Sequence, residues 1–145
     1  METAFNRLKR SLHVATPSVT TFRFDVSRWP IVVVVVPGDL GSPGDFLGFL
    51  EQVSALHRRG PFTLVVDARQ VLRLSSRQRH LLAAARARDE ERFPGVLLAR
   101  ANVIEHPVLR EAIRAVGWLC PPAYPLQFFG NVDDAIAWCC TKVPS

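Results

Sequence analysis

Residues 64–85 read LVVDARQVLRLSSRQRHLLAAA and contain, in order, a buried strand, a short loop and the start of a helix. The apolar run at 64–66 ends at Asp67, which is typical of a strand that is buried on both faces. After the loop, Ser75 stands where a helix N-cap is expected, and Gln78, three residues later, completes the pattern of a capping box. The stretch therefore predicts a strand that passes into a helix, the repeating unit of an α/β fold.

The same unit recurs on both sides of this stretch. Upstream, TFRFDV from residue 21 alternates apolar and polar residues, and IVVVVV from residue 31 is apolar throughout, with the short linker SRWP between them. This arrangement predicts a hairpin whose first strand lies at the edge of the sheet and whose second strand is central. The predicted strands are 21–26, 31–36, 62–68, 96–101 and 126–129, and the predicted helices are 43–59, 76–92, 107–118 and 133–140.

These elements predict an α/β fold with an antiparallel edge hairpin plus a mostly parallel five-stranded sheet, and about four helices mainly on one face. Right-handed crossovers between sequential strands place the connecting helices on the same face. On the other face we expect a less apolar set of alternating positions, namely Thr63, Val65, Asp67, Arg100, Asn102 and Gln127. Because residues 31–36 still present three apolar side chains to each face, we expect the N-terminal arm or a second subunit to cover part of it.

The start of the chain differs in composition from the rest and predicts a basic N-terminal arm (1–20) in front of a single domain (21–145). In the arm, basic residues surround an apolar set with spacings of three and four, which consists of Phe5, Leu8 and Leu12. That spacing is compatible with a short amphipathic helix, but a helix of this length is marginal in water. We therefore interpret the arm as a flexible tail, with a docking arm as the alternative.

Composition favours one compact domain, since 145 residues with 48% hydrophobic residues can bury a core. No run approaches the roughly 18 apolar residues of a spanning helix, and no secretory signal is evident, so we expect a cytoplasmic protein. The net charge of +5 raises the question of nucleic acid. The basic residues are dispersed, however, and no aromatic residues alternate with them, which argues against nucleic-acid binding.

The sequence contains no pattern typical of catalysis. Cys120, Cys139 and Cys140 are odd in number and two are adjacent, which favours reduced thiols over a disulfide framework. No paired metal ligands, phosphate loop or nucleophile with an adjacent base can be assembled from the remaining residues. We therefore predict a protein that is not an enzyme, with no cofactor and no metal site.

The order of elements, residues 64–85 and the ending FFGNVDDAIAWC at residues 128–139 together resemble the STAS domain. This is the SpoIIAA-like fold of bacterial anti-sigma-factor antagonists, and the chain looks closest to the small stand-alone members sometimes labelled STAS/SEC14-like. The resemblance spans residues 21–142. It implies a bacterial regulatory module that binds other proteins.

Switch members of that family carry an Asp-Ser-Ser-Gly turn after the third strand, where a kinase phosphorylates a serine at the helix start. In an ungapped comparison the four positions are occupied here by Ser75, Ser76, Arg77 and Gln78, so the motif is not present. The structural interpretation is that Ser75 is a helix cap. The functional alternative is phosphorylation of Ser76, with the charges of neighbouring arginines holding the phosphate.

We predict a non-catalytic regulatory or scaffolding module that binds another protein or itself as a homo-oligomer. The candidate partner surface comprises Asp67, Arg73, Ser75, Ser76, Arg77, Arg79, Trp118 and Tyr124. Asp67 follows a central strand, where α/β folds place functional groups, although Arg69 or Arg73 could simply pair with it. Trp118 and Tyr124 flank a proline-rich turn and are either interface anchors or core residues. The alternative function is a carrier of a small apolar or anionic ligand, of SEC14-like type.

Overall fold

The computed structural model describes residues 21–144, so the predicted N-terminal arm lies outside the described residues. Within this range the strands are β1 (Arg23–Arg28), β2 (Ile31–Val35), β3 (Phe62–Asp67), β4 (Leu97–Val103) and β5 (Leu126–Phe129). The helices are α1 (Pro43–Leu56), α2 (Ser76–Arg92), α3 (Pro107–Leu119) and α4 (Val132–Cys140), with a 3-10 turn at His57–Arg59. The predicted order of strands and helices is confirmed.

The strands form one sheet in the order β1-β2-β3-β4-β5. β1 is antiparallel to β2, and all other neighbours are parallel, so the predicted α/β class with an antiparallel edge hairpin is confirmed. The hairpin register shifts between Asp25 and Arg28. At this irregularity the Asp25 carboxylate accepts hydrogen bonds from the Ser27 backbone N–H at 2.9 Å and from the Ser27 hydroxyl at 2.6 Å.

The two faces of the sheet carry different numbers of helices. Buried residues of α1, α2 and α3 join Val32, Val34, Leu64 and Val66 in the larger hydrophobic cluster. This is the common face expected for right-handed crossovers. α4 instead packs on the opposite face, where Ala135 and Cys139 contact the cluster around Val65. The helices therefore lie mainly, but not all, on one face.

The element that covers the second face is the C-terminal helix. Within residues 21–144, α4 contacts β4, β3 and β2 and covers the middle of this face. The N-terminal arm that we expected to cover part of it lies outside the described residues, and cover by a second subunit stays a prediction. Towards the edge, Val33 and Val35 of β2 stay half-buried beside Arg23 and Asp25 of β1. Only this narrow strip of the face is left partly open by the described residues.

The predicted polar set of the second face is corrected by the strand register. Arg100 and Asn102 pair with Leu64 and Val66 of β3, so they point to the face that carries α1, α2 and α3. Ala99 and Ala101 pair with Thr63 and Val65, and small side chains therefore line the α4 face of β4. The placement of Arg100 and Asn102 on the second face was wrong because alternation defines the two faces of one strand only. It does not show which face of that strand continues the same face of its neighbour.

The helix starts follow their local sequences. At α1 the Ser42 hydroxyl accepts from the Asp45 N–H at 3.0 Å, and the Asp45 carboxylate accepts from the Ser42 N–H at 3.0 Å. At α2 the same capping box joins Ser75 and Gln78. Caps of this type contribute about 1 kcal/mol each. Within residues 21–144, no helix combines the length and apolar character needed to cross a membrane.

Candidate partner-binding surfaces

The loops that follow β2 and β3 meet at the carboxyl edge of the sheet, the edge at which the parallel strands end. They border an open groove of about 890 Å³. The loops approach closely at Gly38, where an added Cβ would lie 2.9 Å from the Gln70 carbonyl oxygen. The groove is lined by Gly38, Asp39, Leu40, Gln70, Leu72, Arg73, Leu74, Ser75 and Gln78.

Five of the predicted site residues surround this groove and the start of α2. Ser75 is occupied as the helix cap, as the structural interpretation predicted. Ser76, Arg73 and Arg77 are exposed. Within residues 21–144, no carboxylate forms a salt bridge with Arg73 or Arg77. The Arg79 guanidinium is held by the Leu74 carbonyl oxygen at 2.8 Å, so it braces the loop.

Sequence reasoning missed the apolar component of this surface. Leu72 belongs to the loop after β3 and lines the groove, with 65% of its surface exposed. Val71 and Leu74 are buried, whereas Leu72 and Arg73 between them are exposed. The run VLRL does not show by itself which of its two leucines is exposed, nor that the exposed one lies beside a groove.

Asp67, the sixth residue at this edge, is buried and paired. Only 3% of its surface is exposed. Its carboxylate accepts hydrogen bonds from Arg69 Nε at 2.9 Å and Arg69 Nη2 at 2.8 Å. This hydrogen bonding raises the pKa of Arg69, against the opposing effect of burial. Asp67 is therefore too buried to contact a partner directly, and it can affect the surface only by orienting Arg69.

Trp118 and Tyr124 lie at the opposite, amino edge of the sheet, where α3 ends and β5 begins. Trp118 is 81% exposed and the adjacent Leu119 is 49% exposed. Tyr124 is half-buried and faces inward. The structure thus separates the predicted surface into two, because in a parallel sheet the helix starts and the helix ends fall at opposite edges.

Behind Tyr124 lies a small cavity of about 30 Å³ that Arg86 and Arg100 also line. This volume admits one or two water molecules. Burial lowers the pKa of the Arg100 guanidinium, the nearby Arg86 lowers it further, and Tyr124 opposes both effects. Arg100 Nε donates to Asn102 Oδ1 at 3.3 Å, a neutral partner for a half-buried charge. Asp89 and Glu90 line the same cavity, and their carboxylates bond to Ser54 and to the Gly95 N–H.

The three thiols occur in three different environments. Cys139 is buried under the sheet, and this burial raises the pKa of its thiol to about 11. Cys140 is exposed and Cys120 is half-buried. A thiol with a raised pKa is a poor nucleophile at neutral pH. Cys139 is therefore a packing residue of α4.

No family model matches this chain, and no curated protein matches it. Among solved structures, the chain is similar to the crystal structure of an anti-sigma factor antagonist from Mycobacterium paratuberculosis. The TM-score is 0.57 at 20% sequence identity, over 87% of this chain and 98% of that chain. The chain therefore has the STAS fold that its sequence resembled.

Proposed function

We propose that the chain is a non-catalytic regulatory or scaffolding module of STAS type that acts by binding a partner protein, without the phosphorylatable Asp-Ser-Ser-Gly motif. The described function of the similar solved structure, anti-sigma factor antagonism, supports a regulatory role. A shared fold alone leaves the function to be argued from the surface. The observation that carries the proposal is the exposure of Leu72, Arg73 and Arg77 at the carboxyl edge, where no carboxylate of residues 21–144 forms a salt bridge with either arginine.

The chemistry of this surface indicates the kind of partner. Arginine is enriched among the few interface residues that supply most of the binding energy. Leu72 offers the apolar anchor, and Arg73 and Arg77 offer charges that no described carboxylate neutralises. The partner should therefore present an apolar pocket with acidic residues at its rim.

Phosphorylation of Ser76 remains a proposal for regulating this surface. Ser76 is exposed in the first turn of α2, where the helix dipole favours negative charge. A phosphate there would neutralise Arg73 and Arg77, and it would weaken binding of an acidic partner. Ser75 is the poorer acceptor because its hydroxyl is engaged by the Gln78 N–H at 3.0 Å.

The Trp118 surface supports a proposal of self-association. Trp118 and Leu119 form an exposed apolar patch at the amino edge, away from Leu72. Because the two surfaces lie at opposite edges, a homo-oligomer formed through Trp118 would leave the carboxyl edge free for the partner. Trp118→Ala should then lower the mass of the assembly without loss of partner binding.

The carrier alternative is less well supported by the interior. Pockets for drug-sized ligands have volumes of roughly 300–1,000 Å³ and enclose most of the ligand. The cavity behind Tyr124 has about 30 Å³, and the groove at Leu72 is open to solvent. A carrier would need a larger enclosed space under the helix ends.

The test is native mass spectrometry of the full chain isolated from its own cells, with the triple variant Leu72→Ser, Arg73→Glu, Arg77→Glu beside it. We expect a complex with another protein that the triple variant loses. Arg88→Glu is the matched control, because Arg88 is also an exposed arginine of α2. If the triple variant retains the complex, the carboxyl edge is not the contact. A defined small molecule released on denaturation would favour the carrier.

A further inference from the structure

A second open groove lies between α1 and the two residues that precede β1, beside the point where the described chain begins. It has a volume of about 500 Å³ and starts at Thr21. Phe22 and Phe49 form its apolar floor, with their rings stacked at a centroid distance of 4.6 Å. We call it the β1–α1 groove, and its α1 wall includes Gly44, Asp45, Gly48 and Glu51.

Two positions on the α1 wall of this groove have no side chain. Gly44 and Gly48 are four residues apart and lie on the same side of the helix. A Cβ built on Gly48 would meet no atom within 4 Å. Glycine weakens a helix interior relative to alanine. Two glycines facing an apolar groove therefore leave room for a chain segment to lie close to the helix axis.

The charge of the groove is opposite to that of the molecule. Its only charged lining residues among residues 21–144 are Asp45 and Glu51, both acidic, in a chain of net charge +5. The residues that precede Thr21 carry Arg7, Lys9 and Arg10 beside an apolar set with helical spacing. The groove and the arm are thus complementary in both charge and hydrophobicity.

The geometry of the connection allows the arm to reach the groove. From Gly44 to Ala55 the groove follows α1 for about 16 Å at the helical rise of 1.5 Å per residue. Phe5 to Leu12 would span about 10 Å as a helix. Residues 13–20 can extend over about 26 Å, enough for the chain to turn back along α1.

We propose that residues 1–20 of the same chain dock in the β1–α1 groove, with Phe5, Leu8 and Leu12 on the phenylalanine floor and the basic residues beside Glu51. This groove is not on the second face of the sheet, where we first expected the arm and where α4 packs. The proposal concerns an intramolecular contact and does not depend on the partner surface at Leu72.

Hydrogen exchange of the full chain, followed by mass spectrometry of peptides from residues 1–20, tests this contact. We expect the amides of residues 5–13 to exchange at least about tenfold more slowly than in an unstructured peptide, independently of protein concentration. Glu51→Arg should abolish this protection. Glu91→Arg is the matched control, because Glu91 is equally an exposed glutamate on a helix but lies on α2. The pair Lys9→Glu, Arg10→Glu should reproduce the loss.

Three results would overturn the proposal. The first is exchange of residues 5–13 at the unstructured rate in the unmodified chain. The second is equal protection in Glu51→Arg and Glu91→Arg, which would mean that the groove charge is not involved. The third is protection that increases with protein concentration, since the arm would then bind a second copy.

Discussion

The carboxyl and amino edges of the sheet each contain a buried or half-buried charge, but only the charge at the carboxyl edge has a partner of opposite charge among its hydrogen bonds. At the carboxyl edge, Asp67 is matched by Arg69 with two hydrogen bonds below 3.0 Å. Near the amino edge, Arg100 has Asn102 and Tyr124 as partners and Arg86 as a like-charged neighbour. Buried ions cost free energy unless they are paired. The comparison indicates a carboxyl edge that is stabilised by an ion pair beside the proposed partner surface, and an amino edge held mainly by packing.

The strongest test of this contrast removes Arg69. Arg69→Ala leaves the Asp67 carboxylate buried without its cation, and we expect the free energy of unfolding to fall by about 3 kcal/mol. Urea denaturation followed by circular dichroism measures the change. Arg73→Ala is the control. Because Arg73 is exposed and forms no salt bridge with a carboxylate of residues 21–144, its loss should change the free energy of unfolding by no more than about 0.5 kcal/mol. An equal loss in both variants would mean that the Asp67–Arg69 pair does not stabilise the edge.

The next test concerns the contact between the two loops. Gly38→Ala forces a Cβ to within 2.9 Å of the Gln70 carbonyl oxygen, which is backbone and must shift. We expect a loss of about 2 kcal/mol and weaker partner binding. Gly130→Ala, where an added Cβ meets no atom within 4 Å, should have little effect on either. Thermal unfolding of the two variants would contradict the prediction if their midpoints were equal.

A smaller effect separates the two serines at the start of α2. Ser75→Ala removes the hydroxyl that caps the helix and should cost about 1 kcal/mol. Ser76→Ala should be nearly neutral, because that side chain is exposed and makes no described capping bond. Chemical denaturation of both variants measures the difference. A larger loss at Ser76 would show that the cap had been assigned to the wrong serine.

The smallest expected effect lies at the amino edge. Arg100→Met removes a half-buried charge and its hydrogen bond to Asn102 together, so the relief of desolvation offsets the lost bond. We expect the free energy of unfolding to change by less than about 1 kcal/mol, in contrast to Arg69→Ala. A loss near 3 kcal/mol would show that Arg100 is as well paired as Asp67, and the contrast between the two edges would fail.

Much of the fold could be predicted because its local signals agree with one another. The capping pattern at Ser75 and Gln78 predicted the observed start of α2, and the strand 126–129 was predicted at its observed bounds. The face of Arg100 was not predictable in the same way. A strand pattern defines alternation, whereas the matching of faces depends on hydrogen-bond register between strands that are distant in sequence.

Part of the candidate surface could be predicted from the sequence, but Leu72 and the grouping of the residues could not. Arg73 and Arg77 could be recognised as exposed basic residues near a helix start. The distance between them and Trp118 depends on the direction in which each helix crosses the sheet. The exposure of Leu72 and the close approach at Gly38 depend on how two loops meet, and neither loop specifies the position of the other.

By itself, the sequence determined the order of strands and helices, their caps and the antiparallel hairpin, because periodicity and capping act over a few neighbouring residues. Only the tertiary structure decided that α4 covers the second face, that Arg100 points under α2 and that the predicted site divides between two edges. These features depend on contacts between residues that are remote in sequence. Such contacts are set by the packing of whole elements against one another.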